Sequence, residues 1–257
     1  MRIGFAVVLI AVAALAGCGG PDRPAPTPTN ANSAPPLDPP KAIKPESSLD
    51  PNFKPCNPYF PLVPGSQAKY AMIYSSGLQA DETVVVDKIE EGGQTLFRET
   101  AQIVDRSGGM QINQTTVRRF ACDGDKVRIL SEETTGTVGG TTTSTSMKYR
   151  DNSLIVPERA SLDRKGFTWS YALHPTFTRQ GEAPTVPDQP TIVNVEAMGQ
   201  TDVTVPAGKF KALQIQRKVN QFTSWDYLVP GLGLIKREAA EGTRLELKEY
   251  SGLKPAQ

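Results

Sequence analysis

The chain has 257 residues, of which 38% are hydrophobic, and this length fits one large domain or two small ones. Its 28 Lys and Arg residues against 27 Asp and Glu residues leave a formal net charge of +1, with no basic stripe or acidic run. This balance argues against nucleic acid or another polyanion as a partner.

The first 17 residues have the pattern of a secretory signal peptide. Arg2 supplies the positive start, Ile3 to Ala14 form an almost unbroken apolar run, and small residues lead to Cys18. The run is shorter than the roughly 20 apolar residues that cross a bilayer; an uncleaved anchor helix is the alternative. On position alone, Cys18 could be half of a disulfide, a catalytic thiol or an attachment point for lipid.

Residues 18–56 are expected to form a disordered tether. More than half of the 22 prolines lie between Gly19 and Pro58, and Ala, Ser, Thr and Asn fill most of the other positions. The apolar residues there follow no period, so burial cannot offset the entropy of ordering the segment. Such a tether would hold the following domain clear of whatever Cys18 is attached to.

A single β-rich domain is predicted over residues 57–252, with a short tail at 253–257. Apolar residues recur at every second position in runs such as DETVVVDKI, MQINQTTVRRFACDGDKVRILSEE and TIVNVEAMGQTDVTVPAGKFKALQIQRKV. This period predicts about ten strands. No stretch has helical spacing over three turns, and a short helix near residues 157–164 stays open.

Short turn-forming stretches connect the predicted strands. DGD at 123–125 and PAG at 206–208 suit hairpin turns, and PG at 230–231 turns or kinks the chain. The Thr- and Ser-rich run 134–146 is expected to be a long, exposed hairpin tip. Many hairpins without intervening helices predict an all-β fold with one large, antiparallel, strongly curved sheet, as a half barrel or open barrel.

The remaining cysteines and the lone histidine show no sign of a reactive centre. Cys56 and Cys122 could form a disulfide that joins the tether to the sheet, or could be two free thiols. His174 is interpreted as a surface or strand-end residue. Without a second histidine or a cysteine pair at ligand spacing, neither a metal site nor a cofactor is predicted.

The acidic and aromatic pairs are likewise interpreted as structural. The acidic pairs at 90–91 and 132–133 are expected at solvated strand ends rather than as the opposed carboxylates of a glycosidase. Neither a phosphate-binding loop nor a nucleophile elbow occurs, so an enzyme is not expected. Trp225, Tyr227 and Val229 lie on one side of a predicted strand and are interpreted as core, the alternative being a pocket for an apolar ligand.

LAGC at 15–18 resembles the lipobox of bacterial lipoproteins. In that family the cysteine thiol receives a diacylglyceryl group, the signal peptide is cut before the cysteine, and the new amino group is commonly acylated. The resemblance implies that Cys18 is lipidated and that the protein is held at the cell envelope. Gly19 is similar to the outer-membrane sorting type more than to the inner-membrane type.

YFPLVPGSQAKY, VPAGKFKALQI and YLVPGLGLIKRE resemble recurring segments of uncharacterised bacterial exported proteins and lipoproteins, over about Tyr59 to Tyr250. The resemblance implies a β-rich fold, for some members with a curved sheet like that of the lipoprotein carriers LolA and LolB, and no catalytic residues. We therefore expect a non-enzymatic, membrane-anchored domain that presents a binding surface or a shallow apolar groove. The alternative is a structural or assembly lipoprotein that binds another envelope protein.

Overall fold

The computed structural model describes residues 42–50, 52–105, 112–138, 141–149, 154–179 and 183–255, which belong to one compact unit. Cys18, the predicted signal peptide, most of the predicted tether and the last two residues of the predicted tail lie outside the described residues. Within the described ranges, no helix is long and apolar enough to span a bilayer.

Strands dominate the described domain, as the period-2 pattern predicts. They are β1 (Gln67–Ile73), β2 (Gln79–Glu91), β3 (Gln94–Asp105), β4 (Ile112–Asp123), β5 (Lys126–Val138), β6 (Thr141–Lys148), β7 (Leu154–Val156), β8 (Thr168–Arg179), β9 (Thr191–Val205), β10 (Gly208–Val219), β11 (Phe222–Val229), β12 (Gly233–Ala239) and β13 (Arg244–Ser251). A one-turn helix, α1 (Arg159–Leu162), falls in the stretch where a helix had stayed open.

All of these strands pair antiparallel in one sheet, in the order β4-β3-β2-β1-β13-β12-β11-β10-β9-β8-β6-β5-β7. β4 also pairs with β5, so hydrogen bonds connect each strand to the next around the whole sheet. The predicted all-β fold with a strongly curved antiparallel sheet is confirmed. The sheet is more nearly closed than a half barrel, and it has thirteen strands within the described ranges rather than about ten.

The Thr- and Ser-rich run 134–146 helps to close the sheet instead of forming an exposed tip. Residues 134–138 complete β5 and residues 141–146 belong to β6, while 139–140 lie outside the described residues. β5 pairs with β4, and β6 pairs with β8. The hydroxyls of Thr116 and Thr134 lie 3.0 Å apart across the β4–β5 pair. Threonine favours strands because of its branched Cβ, so polarity alone was a poor sign of solvent exposure here.

The segments that carry the family resemblance pack at one end of the sheet. The residues before β1 cross this end, where the Gly231 N–H donates to the Pro58 carbonyl at 2.7 Å and Tyr59 is fully buried. In the β9–β10 turn, the Ala207 N–H donates to the carbonyl of Leu247 on β13 at 3.0 Å. The predicted turns therefore exist, and they also tie together strands that are distant in sequence.

Part of the predicted tether packs on the domain. The backbone N–H groups of Glu46 and Ser47 donate to Asp87 Oδ1 at 2.6 and 2.7 Å. Arg98 forms ion pairs with both Glu46 and Asp87, at 2.6 and 3.2 Å. The tether boundary at residue 56 is thus too late. The contacts use backbone N–H groups and one buried carboxylate, so no apolar period announces them.

Cys56 and Cys122 are joined by a disulfide in the structure, with their Cα atoms 6.1 Å apart. The neighbouring Asn57 is fully buried, and its amide donates to the carbonyls of Asp125 and Pro157 at 2.7 and 3.0 Å. The bridge and this amide hold the entrance of the domain against the β4–β5 turn.

Candidate functional site

Asp105, at the end of β3 opposite the buried Ala80, is an acid on the inner face of the curved sheet. Seven further charged side chains on that face each lie on a different strand. Cross-strand partners share a face of a sheet, and the partners of these residues include buried apolar side chains. We call them the charged belt: Glu82 (β2), Glu99 (β3), Arg118 (β4), Glu132 (β5), Arg217 (β10), Asp226 (β11) and Arg237 (β12).

Arg118 joins two acids of the charged belt. It lies between Glu99 and Glu132, which are its direct partners on the neighbouring strands. Arg118 Nη1 contacts Glu99 Oε1 at 2.7 Å, and Nε contacts Glu132 Oε2 at 2.6 Å. Burial alone would lower the pKa of Arg118, but the two carboxylates raise it above its ordinary value. The guanidinium therefore stays charged.

Asp226 occupies the reverse arrangement, one acid between two arginines. Arg237 contacts its two oxygens at 2.5 and 2.9 Å, and Arg217 Nε lies 2.8 Å from Oδ2. Burial raises the pKa of Asp226, but the two guanidinium groups outweigh it and hold the pKa below its usual range. Arg217 also donates from Nη1 to the Tyr171 hydroxyl at 2.8 Å.

Glu82 is the acid of the charged belt without a direct partner. It is only 8% exposed, and its carboxyl accepts no hydrogen bond from the residues that the structure describes. Burial raises its pKa, Glu99 raises it further, and the more distant charges of Arg118 and Arg237 lower it. Those two arginines lie on β4 and β12, neither of which adjoins β2, so the charges interact across the interior of the sheet.

Water reaches the charged belt. The side chains of Arg237, Arg217 and Arg118 keep 33%, 20% and 17% of their exposure although they face inward. Glu132, by contrast, is almost fully buried, and its Oε1 lacks a hydrogen-bond partner among the described residues. Within the same ranges, no group of three or more His, Cys, Asp or Glu side chains could hold a metal ion.

An open depression of about 420 Å³ on the outer face, along β8 to β10, is the weaker candidate site. Its lining includes Thr168, Ser170, Asn194 and Lys218, all exposed on the pleated surface.

The charged belt is the stronger candidate, because it keeps ionised groups largely out of bulk water, which costs several kcal/mol for each ion. Departures of this kind from a purely apolar interior tend to mark functional sites.

Glu132 was misinterpreted as the solvated end of a strand. It is 3% exposed and lies within β5, whereas Glu90, Glu91 and Glu133 are exposed. A bulge at this point of the β4–β5 pairing adds one residue to β5 after Ile129 and moves Glu132 to the inner face. Strict alternation from the buried Ile129 would have pointed Glu132 outward, so the sequence pattern misled.

Of the two aromatic residues of β11 interpreted as core, Tyr227 packs against the apolar core that includes Val229, whereas Trp225 does not within the described ranges. Trp225 and Tyr227 are half-buried on the outer face, on either side of the inward-facing Asp226, and only Val229 is buried as expected. The Tyr227 hydroxyl donates to Glu238 at 2.9 Å. Asp226, which lies between Trp225 and Tyr227 in the sequence, was the clearer sign of a functional residue. Its side chain takes the inward position of the alternation.

The other predicted residues lie apart from the charged belt. His174 is half-buried on β8 beside Lys148 on β6. Cys56 and Cys122 form their bridge at the domain entrance, and Cys18 is outside the described residues. Sequence reasoning thus missed the belt, although charges such as Glu82, in register with Ala80 and Val84, stand at apolar positions of the alternation.

Comparison with known proteins assigns no family to this chain. No family model and no curated protein matches it. Among solved structures it is similar to a Bacteroides fragilis protein described as a candidate exported protein with a YmcC-like fold, at a TM-score of 0.48 and 14% identity. That match covers 76% of this chain and 100% of the other.

Proposed function

We propose that the protein is a non-enzymatic lipoprotein, anchored through Cys18 at the cell envelope and more specifically the outer membrane, that binds a small polar ligand at the charged belt. The observation that carries the proposal is the presence of seven charges on the inner face of one curved sheet, three of them buried: Glu82, Glu132 and Asp226. Apolar residues of similar size are often equally or more stabilising at such positions. A binding function explains why the interior keeps its charges.

The charged belt changes the class of ligand that we expect. The concave face of the sheet is its inner face, where an apolar groove for an acyl chain was expected. A hydrocarbon placed there would remove water from Arg237 and Arg217 without offering them a hydrogen bond, which is unfavourable. A ligand with polar groups can replace that water.

The ion pairs favour binding over catalysis. Glu99 and Glu132 both contact Arg118, so neither is free to act as a general base or nucleophile without breaking a short charge-assisted contact. Asp226 is held in the same way by two arginines. Groups fixed like this suit a preformed binding site.

The lipid anchor is tested by replacing Cys18 with Ser. We expect an uncleaved precursor that lacks lipid, because the thiol that accepts the diacylglyceryl group is gone. Two or three acyl chains hold a protein on a membrane essentially permanently, whereas a single chain binds weakly. Mass spectrometry of the full chain and fractionation of the two membranes give the readout. A variant that is processed and membrane-bound like the wild type would rule out the anchor.

The ligand site is tested on the full chain, extracted from its membrane in detergent. Native mass spectrometry should show a non-covalent small-molecule adduct that is lost after unfolding and refolding. Loss of the adduct should shift the Nε–H signals of Arg118, Arg217 and Arg237 in ¹⁵N NMR spectra. An unliganded chain with unchanged arginine signals, together with cross-linking of one envelope protein through surface lysines, would instead favour the assembly lipoprotein.

A further inference from the structure

We propose that Glu82 binds the cationic group of the ligand, and that the ligand is a small organic amine in its ammonium form. This inference rests on the proposed function, because it names the ligand class for the same site. It follows from the pairing of charges in the belt, from the side chains around Glu82 and from the chemistry of the vacant positions.

One acid of the charged belt has no ionic partner among the described residues. Four carboxylates of the charged belt face three guanidinium groups, and Asp105 lies on the same face, so acids outnumber arginines there when every group is ionised. Arg118 is shared by two acids, and Asp226 is shared by two arginines. Glu82 has neither an ion pair nor a hydrogen bond with the described residues. One positive charge beside Glu82 would balance the belt.

The surroundings of Glu82 suit an ammonium group. Tyr70, its direct partner on β1, has its hydroxyl occupied by donation to the Leu234 carbonyl at 2.9 Å, so the side chain offers its ring on the inner face. An ammonium group is attracted to the face of an aromatic ring. The carboxylate oxygens of Glu82 accept no hydrogen bond from the described residues. An ammonium group brings three donors to such acceptors.

Other ligand classes fit less well. An anion would have to compete with carboxylates for guanidinium groups that already make contacts of 2.5 to 2.9 Å. A metal ion needs several oxygen or nitrogen ligands at one point, and no such group occurs among the described residues. A neutral molecule would leave the excess negative charge unbalanced.

Binding should be coupled to release of a proton. Burial raises the pKa of Glu82, so in the empty site its carboxyl keeps a proton to higher pH than an exposed glutamate does. An arriving ammonium group replaces that proton: the O–H bond breaks, the proton passes to solvent, and the carboxylate pairs with the cation. The titratable and charged groups facing Glu82 are Tyr70 and Tyr74 from β1 and its end, Glu99 and Asp105 from β3, Arg118 from β4 and Arg237 from β12.

The test compares three probes of one size and different charge. The full chain in detergent is titrated with n-butylammonium, butan-1-ol and butyrate while the side-chain carboxyl signals are followed by ¹³C NMR. We expect saturable binding of butylammonium with a shift of the Glu82 signal, and at least about tenfold weaker binding of the alcohol and the anion. Binding should be tighter at alkaline pH, where Glu82 is ionised, than at acid pH, where a proton on Glu82 competes with the cation.

Two variants locate the effect. Glu82→Gln should weaken butylammonium binding at least about tenfold, since the amide keeps the shape but not the charge. Glu90→Gln, at the exposed end of the same strand, is the matched control and should bind like the wild type. Thermal melts of both variants confirm that each is folded.

The outcomes separate this inference from the proposed function. If butyrate or butanol shifts the carboxyl signals of the charged belt as strongly as butylammonium does, the ligand is not specifically an ammonium compound. The charged belt would then still be a binding site. Unchanged butylammonium affinity in Glu82→Gln overturns the role of Glu82. If none of the probes shifts the belt, the inference is wrong, and the adduct experiment above decides separately whether the belt binds any ligand.

Discussion

Replacing Asp226 with Asn removes one charge of the belt at almost constant side-chain size. Asp226 is 1% exposed, and all of its contacts with Arg217 and Arg237 are 2.9 Å or shorter. Breaking a buried ion pair from one side costs about 3–5 kcal/mol. Because Arg237 keeps a third of its exposure and can be hydrated, we expect about 3 kcal/mol. For a domain of this size that lowers Tm by about 6–12 °C.

Urea unfolding of the full chain at neutral pH measures the loss, with Asp202→Asn as the matched control. Asp202 is exposed on β9, and its replacement should change stability by less than about 0.5 kcal/mol. The pKa of Asp226 is depressed in the folded protein, so its contribution is present above the unfolded value, about 3.9, and is lost as the pH falls through the folded value. Wild type and Asp226→Asn should therefore converge in acid. A neutral-pH loss no larger than that of the control would refute the ion-pair account.

Three further changes test other parts of the structure. The pKa of Glu82 is raised in the folded protein, so the stability that it contributes is present below the unfolded value, about 4.3, and lost as the pH rises. Glu82→Gln should match the wild type near that pH and be the more stable chain in urea at alkaline pH; a less stable variant would contradict this sign. Replacing both Cys56 and Cys122 with Ser removes a bridge between residues 66 apart in sequence and should lower the free energy of unfolding by up to about 4 kcal/mol. The variant should have a lower Tm than the oxidised wild type, and a reductant should not change that Tm. Gly65→Ala and Gly77→Ala impose similar backbone strain, at φ of +81° and +84°, but only at Gly65 would the new Cβ meet backbone, 2.7 Å from the Leu49 nitrogen. Gly65→Ala should be the more destabilising by about 1–2 kcal/mol in urea, and equal losses would show that the segment around Leu49 does not pack there.

The sheet was predictable because its main determinant is local. The alternation in runs such as TIVNVEAMGQTDVTV requires only that every second side chain be buried, and β9 follows it over 15 residues. Turn residues at 123–125 and 206–208 mark where such runs reverse, and the strands end there. The number of strands was underestimated because the polar run 134–146 was assigned to solvent.

The inner charges were harder to predict because they depend on contacts between distant strands. A bulge reverses the alternation before Glu132, and its position depends on the pairing of β4 with β5. Arg118 and Asp226 are stable inside only because their partners come from neighbouring strands at the correct register. In the sequence of one strand, each of these residues is an isolated charge, and an isolated charge is expected to point outward into solvent.

The turns at Ala207 and Gly231 and the charged belt depend on the sequence in different ways. Ala207 and Gly231 act through backbone hydrogen bonds, so the turn geometry of these segments is part of the fold. Each belt residue comes from a separate strand and contacts the others only through its side chain, as Arg118 and Asp226 do. Exchanging one of them changes the charge inside the sheet without moving a turn or a strand register. Similarity in fold therefore does not transfer the ligand, and the ligand class of this chain has to be inferred from its own belt, where the unpaired Glu82 determines the sign of the missing charge.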